Sequence, residues 1–157
     1  LDLKISKKII EKTIPSLAFP GRFNYLKKGR IKKMLHKNEL IMIDGAHSPA
    51  DALNLYNYLK TIKLPKYGIW SMTKNKEPDL FIKELKNVFQ RIVTMPIENE
   101  NGSESAGKLN RIALKNKIVS ETAYSLKDAL KKISSSEKKL IVAFGSLYAA
   151  GSILKKN

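Results

Sequence analysis

Side chains that could bind phosphate or a sugar follow an apolar run near the first third of this sequence. The run 40–43 is typical of a buried strand, and Asp44 and His47 follow it, just before a helical pattern that starts at Pro49 with Ser48 as its N-cap. A carboxylate here could accept hydrogen bonds from sugar hydroxyls, and an imidazole beside a helix N-terminus lies where an anion is favoured. We therefore expect this junction to form one part of a ligand site.

Ordinary structural roles would explain the same residues. Asp44 precedes Gly45, and an Asp-Gly pair commonly closes a turn by hydrogen bonding to its own backbone. His47 is equally well interpreted as a surface histidine. This junction alone leaves both interpretations open.

A second junction and one arginine add to the candidate site. Gly145 follows the apolar run 140–144 and would let the backbone approach a ligand. Ser146 could donate its hydroxyl to a ligand at the start of the next helix, or it could serve only as the N-cap of that helix. Arg22 follows the turn-forming pair Pro20-Gly21. A guanidinium held by a sharp turn is suited to binding phosphate, although a solvated surface arginine explains it equally well.

Strand and helix patterns alternate along the chain and predict an α/β fold. We predict strands at 40–43, 67–72, 91–95, 117–119 and 140–144, and helices at 7–13, from 49 to beyond 59, 79–90, 106–115, 125–134 and 147–155. Helical crossovers return the chain to the same edge of a sheet, so we expect a three-layer, Rossmann-like sandwich with a mostly parallel sheet flanked by helices. The Asn- and Ser-rich stretch 98–105 is predicted to be a flexible loop. Ligands in such folds bind at the carboxyl ends of the strands.

Composition restricts the class of protein further. The chain has 157 residues, is 43% hydrophobic and carries a net charge of +16, which suits one folded domain rather than a disordered chain. Only four of its 30 cationic residues are arginines, which disfavours a protein that reads bases, whereas a basic surface would attract nucleotides. The absence of cysteine excludes disulfides and thiolate chemistry. Without a signal peptide or a long apolar segment, we expect a cytoplasmic protein that binds neither membrane nor nucleic acid.

The first residues do not resemble the start of a compact domain. The stretch 7–13 is amphipathic, but Pro15 and then Pro20-Gly21 interrupt the chain before the first core element. We expect residues 1–19 to be an inter-domain linker and residues 20–157 to be the folded domain. Because the sequence starts at Leu1, we also expect it to be part of a longer protein.

Four motifs in this order resemble the C-terminal domain of the folylpolyglutamate synthase and dihydrofolate synthase family, part of the Mur ligase superfamily. They are PGRF at 20–23, DGAHSP at 44–49, SMTKNKE at 71–77 and GSLYAAG at 145–151. The resemblance runs from about residue 20 to residue 155. It implies an ATP-dependent ligase that joins a pteroate or folate carboxylate to the amino group of L-glutamate through an acyl phosphate.

The resemblance also implies roles for individual residues. Arg22 would contact the phosphates of ATP, and Asp44 would contact the nucleotide at its ribose. His47 and Ser146 would lie near the acyl phosphate and the incoming glutamate. His47 and Lys74 are the catalytic candidates, and Lys74 or Lys76 matches a lysine-bearing segment of the family whose role stays open.

Three positions depart from the family pattern. Phe19 replaces a tryptophan, Ser48 replaces an asparagine, and Asn75 replaces an aspartate between two lysines. The chain also has no P-loop motif and no carboxylates at metal-ligand spacing. The resemblance therefore assigns Mg²⁺ and most ATP contacts to an N-terminal P-loop ATPase domain that this chain lacks.

The sequence leaves the acyl substrate and two alternative functions open. We expect the chain to be a monomer that folds alone without ligase activity. Whether the acyl substrate is dihydropteroate or tetrahydrofolate, or both, is not decided by these residues. A nucleic-acid-binding domain and a non-catalytic partner-binding module, docking through 7–13, are the alternative functions.

Overall fold

The computed structural model describes residues 6–13 and 19–157. Its helices are α1 (Lys7–Thr13), α2 (Arg30–Lys33), α3 (Pro49–Lys60), α4 (Pro78–Glu84), α5 (Ala106–Lys115), α6 (Leu126–Ile133) and α7 (Leu147–Lys156). Its strands are β1 (Asn24–Tyr25), β2 (Glu39–Ile43), β3 (Lys66–Trp70), β4 (Arg91–Thr94), β5 (Ser120–Thr122) and β6 (Lys139–Phe144). Much of the predicted linker 1–19, namely residues 1–5 and 14–18 with Pro15, lies outside the described residues.

The strands form one sheet in the order β1-β2-β6-β3-β4-β5. Only β1 runs antiparallel to its neighbour, and the remaining pairs are parallel. The register pairs Ile43 with Ala143 and Trp70 with Phe144, so β2, β6 and β3 end at the same edge. The residues after these three strands, which include Asp44, Ser71 and Gly145, therefore lie side by side.

Helices cover both faces of the sheet, which confirms the predicted three-layer α/β sandwich. Alternate side chains of the strands point to opposite faces, and each face has its own apolar cluster. One cluster packs Met42, Trp70 and Val142 against α3, α4 and α5. The other packs Ile43, Ile69 and Ile141 against α6 and α7. Because β6 is buried along its whole length between β2 and β3, it forms the centre of the domain.

Two predicted elements differ from the structure by three residues or more at a boundary, and both errors involve residues with positive φ. The helix predicted over 79–90 ends at Glu84, because the chain turns through Asn87 at φ 64° and brings Val88 and Phe89 onto the core from a turn. The strand predicted at 117–119 lies three residues later, because Lys117 adopts φ 61°. Strand β1 and helix α2 were not predicted, since two and four residues are too few to show a period.

The stretch 98–105, predicted as a flexible loop, is hydrogen bonded to the end of β3. The backbone N–H of Lys74 donates to the Gly102 carbonyl at 2.8 Å, and that of Glu104 donates to the Met72 carbonyl at 2.8 Å. These bonds place the loop beside the carboxyl edge of the sheet. Across residues 6–13 and 19–157, no helix is long and apolar enough to cross a membrane.

Candidate ligand site at the carboxyl edge of the sheet

Asp44 closes a turn immediately after β2, as the structural alternative predicted. Its Oδ1 accepts the backbone N–H of Ala46 and its Oδ2 that of Phe23, both at 2.8 Å. The side chain is buried, and burial raises the pKa of Asp44, while the two backbone hydrogen bonds and the nearby Arg22 oppose that rise. Asp44 therefore connects the loop 20–23 to the turn that precedes α3.

Arg22 lies above this buried carboxylate with its guanidinium partly exposed. Its Nη1 is 4.0 Å from Asp44 Oδ1, and 38% of its side chain is exposed. The loop is fixed by the backbone N–H of Gly45, which donates to the Gly21 carbonyl at 2.6 Å. Arg22 can therefore reach an anion in solvent while the loop beneath it stays in place.

A hollow of about 290 Å³ opens beside Arg22, and we call it the arginine hollow. It is lined by Arg22, Phe23, Asp44, Asp51 and Asn54. The guanidinium can bind phosphate and the Asn54 amide can bind a polar group, so the lining suits part of a nucleotide. The two site residues predicted to face ATP thus share one hollow.

His47 is half-buried at the start of the turn into α3. Its Nδ1 is 2.8 Å from the carbonyl oxygen of Gly45. A carbonyl can only accept, so Nδ1 is the protonated nitrogen in this contact and Nε2 is left for other partners. The same Nδ1 lies 3.6 Å from Asp51 Oδ2.

A second hollow, of about 190 Å³, joins His47 to Ser146, and we call it the histidine hollow. Its lining residues are His47, Thr73, Asn75, Lys76, Ser146, Leu147 and Tyr148. The two residues predicted to lie on the glutamate side are therefore brought together. A lysine, an imidazole and a hydroxyl around one hollow can bind a small carboxylate.

Ser146 is the N-cap of α7. Its Oγ accepts the backbone N–H of Tyr148 at 3.1 Å and that of Ala149 at 3.5 Å. Gly145 before it has φ 106°, and an added Cβ would lie 2.3 Å from the Ser71 carbonyl oxygen. Only glycine fits there, and this close approach sets the direction in which α7 begins.

The structure separates the two lysines of the motif 71–77. Lys76 lines the histidine hollow, whereas Lys74 lines an adjoining hollow of about 310 Å³ together with Glu100 and Gly102. Both hollows are also lined by Thr73, Asn75 and Tyr148. The two catalytic candidates, His47 and Lys74, therefore do not line the same hollow.

Several lining residues were not predicted from the sequence. Asp51 had a detectable signal, because Ser48 and Asp51 at positions i and i+3 match a capping-box pattern with aspartate in place of glutamate. Phe23, Thr73 and Tyr148 lie inside the motifs 20–23, 71–77 and 145–151 but were not singled out, and Asn54 had no signal in the sequence. Within the described ranges no group of three His, Asp or Glu side chains could hold a metal ion.

The mostly parallel sheet, with its hollows where strands end and helices begin, defines an α/β domain whose fold matches part of solved folylpolyglutamate synthase chains. Escherichia coli FolC bound to ADP matches at 19% identity and a TM-score of 0.75 over 98% of this chain. Folylpolyglutamate synthase of Mycobacterium tuberculosis with ADP matches at 20% identity and a TM-score of 0.80 over 97% of this chain. At these identities the likeness shows the fold.

The sequence itself is similar to a curated enzyme. Dihydrofolate synthetase of Saccharomyces cerevisiae is 25% identical over 169 residues, which cover 98% of this chain. No family model matches the chain. The resemblance predicted from the motifs is thus confirmed by similarity in sequence and in fold.

The similarity concerns only part of each relative. This chain spans 38% of the yeast enzyme and 35% of each of the two bacterial structures. Another solved bifunctional folylpolyglutamate and dihydrofolate synthase holds Mn, AMPPNP and L-glutamate.

Proposed function

We propose that residues 20–157 form the C-terminal domain of an ATP-dependent ligase that joins L-glutamate to a pteroate or folate carboxylate. One observation carries this proposal. The turn 44–47 at the carboxyl end of β2 contributes Asp44 to the arginine hollow and His47, three residues later, to the histidine hollow. A nucleotide phosphate and an amino-acid carboxylate could therefore be held next to each other.

Each hollow has a task in this reaction. Bound ATP supplies the phosphoryl group that activates the acyl carboxylate, and the Arg22 guanidinium would stabilise charge on the phosphate oxygens. His47, Lys76 and Ser146 would hold the incoming glutamate, with the lysine and the hydroxyl donating to its carboxylates. Closure of the domain would exclude water from the acyl phosphate.

The rest of the machinery would lie elsewhere in the protein. We propose that Mg²⁺ and most ATP contacts belong to a P-loop ATPase domain joined through residues 1–19. The protein would act as a cytoplasmic monomer, and the isolated chain would fold without ligase activity. The similarity to folate ligases favours this function over a nucleic-acid-binding or partner-binding module.

Amide formation by the whole gene product tests the proposal. The purified gene product is incubated with ATP, Mg²⁺, labelled L-glutamate and either dihydropteroate or tetrahydrofolate. We expect ADP and a labelled folate product in equal amounts, only when all components are present. Absence of product with both acyl substrates would contradict the proposal, and preference for one identifies the substrate.

The domain assignment has its own test. The reading frame upstream of Leu1 should encode a G-x-x-x-x-G-K-[ST] motif followed by an ATPase domain. A start codon a few residues before Leu1 would contradict it and favour a binding module.

A further inference from the structure

The Asp51 carboxylate touches the turn that carries His47 and also lines the arginine hollow. Its Oδ2 accepts the backbone N–H groups of His47 and Ser48, both at 3.2 Å. The same oxygen lies 3.6 Å from His47 Nδ1. No family motif named above includes this residue, and its position follows from the local structure of this chain.

Two electron-rich oxygens face one nitrogen of the imidazole. The Gly45 carbonyl oxygen and Asp51 Oδ2 lie 2.8 and 3.6 Å from Nδ1. Both oxygens would repel a lone pair on Nδ1 and attract an N–H there. The neutral ring is therefore favoured with its proton on Nδ1 and its lone pair on Nε2.

A capping box keeps Asp51 in this position. Ser48 Oγ accepts the backbone N–H of Asp51 at 3.2 Å, and the Asp51 carboxylate accepts the backbone N–H of Ser48 in return. Burial raises the pKa of Asp51, but the hydrogen bonds from His47 and Ser48 and the charges of Arg22 and His47 outweigh it and lower the pKa overall. The carboxylate is thus ionised at neutral pH.

We propose that Asp51 is a positioning residue that fixes the His47 ring with Nδ1 protonated, so that Nε2 is the atom offered to the ligand in the histidine hollow. The use of His47 rests on the proposed function. The ring state itself does not, and it can be measured on this chain without any substrate. Asp51 acts through His47 and touches no reacting atom in this account.

Nitrogen NMR of the ring atoms tests the proposal directly. The chain contains two histidines, and the exposed His36 serves as an internal reference. At a pH where both rings are neutral, we expect His47 to show a protonated Nδ1 and an unprotonated Nε2. In Asp51→Asn only the Gly45 carbonyl still favours a proton on Nδ1, so we expect the other tautomer to become measurably populated, while His36 does not change.

Two further variants separate the charge from the cap. Ser48→Ala breaks the other half of the capping box but leaves the carboxylate, so the His47 tautomer should persist. Asp51→Glu retains a carboxylate at the same helical position, so we expect His47 to keep its native tautomer in this variant. If Asp51→Asn does not fold, Asp51→Ser provides the uncharged variant.

Two results would overturn the proposal. One is an unchanged His47 tautomer in a folded, uncharged Asp51 variant. The other is an equal loss of the native tautomer in Ser48→Ala, which would assign the effect to the cap alone. A gene product without ligase activity would instead refute the proposed function and leave the tautomer result standing.

Discussion

The backbone N–H of Phe23 donates to the Oδ2 of Asp44 across 2.8 Å and joins two loops that are 21 residues apart in sequence. Asp44→Asn replaces one accepting oxygen by a donor, which leaves one buried backbone N–H without its partner. We expect a loss of about 2 kcal/mol in the free energy of unfolding, measured in urea. Glu84→Gln, which changes an exposed carboxylate at the end of α4, is the control, and equal effects from both would contradict this role of Asp44.

Gly145 and Gly151 offer a matched pair on either side of the start of α7. Gly145→Ala forces a side chain into φ 106° and against the Ser71 carbonyl, and should cost roughly 3 kcal/mol. Gly151 is inside α7, and an added Cβ there meets nothing within 4 Å. Gly151→Ala should therefore stabilise the domain by about 0.5 to 1 kcal/mol. Thermal unfolding of both variants checks this, and a tolerated Gly145→Ala would contradict the described turn.

Ser146 and Ser125 cap two helices in the same way, but only Ser146 lines the histidine hollow. Ser146→Ala and Ser125→Ala should each reduce stability by about 1 kcal/mol. Only Ser146→Ala should also raise the KM for glutamate in the gene product, by about tenfold for one lost hydrogen bond. An equal KM in both variants would restrict Ser146 to its capping role.

Glu104 makes stability depend on pH in acid. Burial raises its pKa, but the hydrogen bond from Lys108, the backbone N–H of Ser105 and the charges of Lys108 and Lys74 outweigh this and lower the pKa below its ordinary value of 4.5. The contribution of Glu104 to the free energy of unfolding is therefore present above pH 4.5 and is lost as the pH falls through the pKa that Glu104 has in the folded state. Urea unfolding between about pH 6 and 3 should show a smaller acid loss in Glu104→Gln than in the native chain. An equal loss of unfolding free energy in acid for Glu104→Gln and the native chain would contradict this prediction.

The strongly periodic parts of the fold were predictable, and the exceptions have local causes. The helix 106–115 was predicted with the observed bounds because its apolar face and N-cap are both explicit in the sequence. The left-handed residues Asn87 and Lys117 shifted two neighbouring elements, because no periodic signal marks a positive φ at a residue other than glycine.

The sequence motifs predicted which segments form the candidate site, but they did not predict which residues line each hollow. Arg22 with Asp44, and His47 with Ser146, were paired from their resemblance to folate ligases, and each pair lines one hollow. Their roles toward ATP and glutamate stay predictions. Long-range contacts decided the rest: the hydrogen bond from Lys74 to Gly102 belongs to a loop whose position the sequence does not encode locally. Lys74 and the loop residue Gly102 line the same hollow, which does not include His47.

The ligase activity of two arginine variants tests the central claim most directly. Arg22→Ala and the exposed surface control Arg111→Ala are made in the gene product that carries this chain, and kcat/KM for ATP is measured with saturating glutamate and acyl substrate. We predict a loss on the order of 100-fold or more for Arg22→Ala, because the proposed function places its guanidinium beside the transferred phosphate, and no change for Arg111→Ala. Native activity in Arg22→Ala would contradict the assignment of the arginine hollow to ATP.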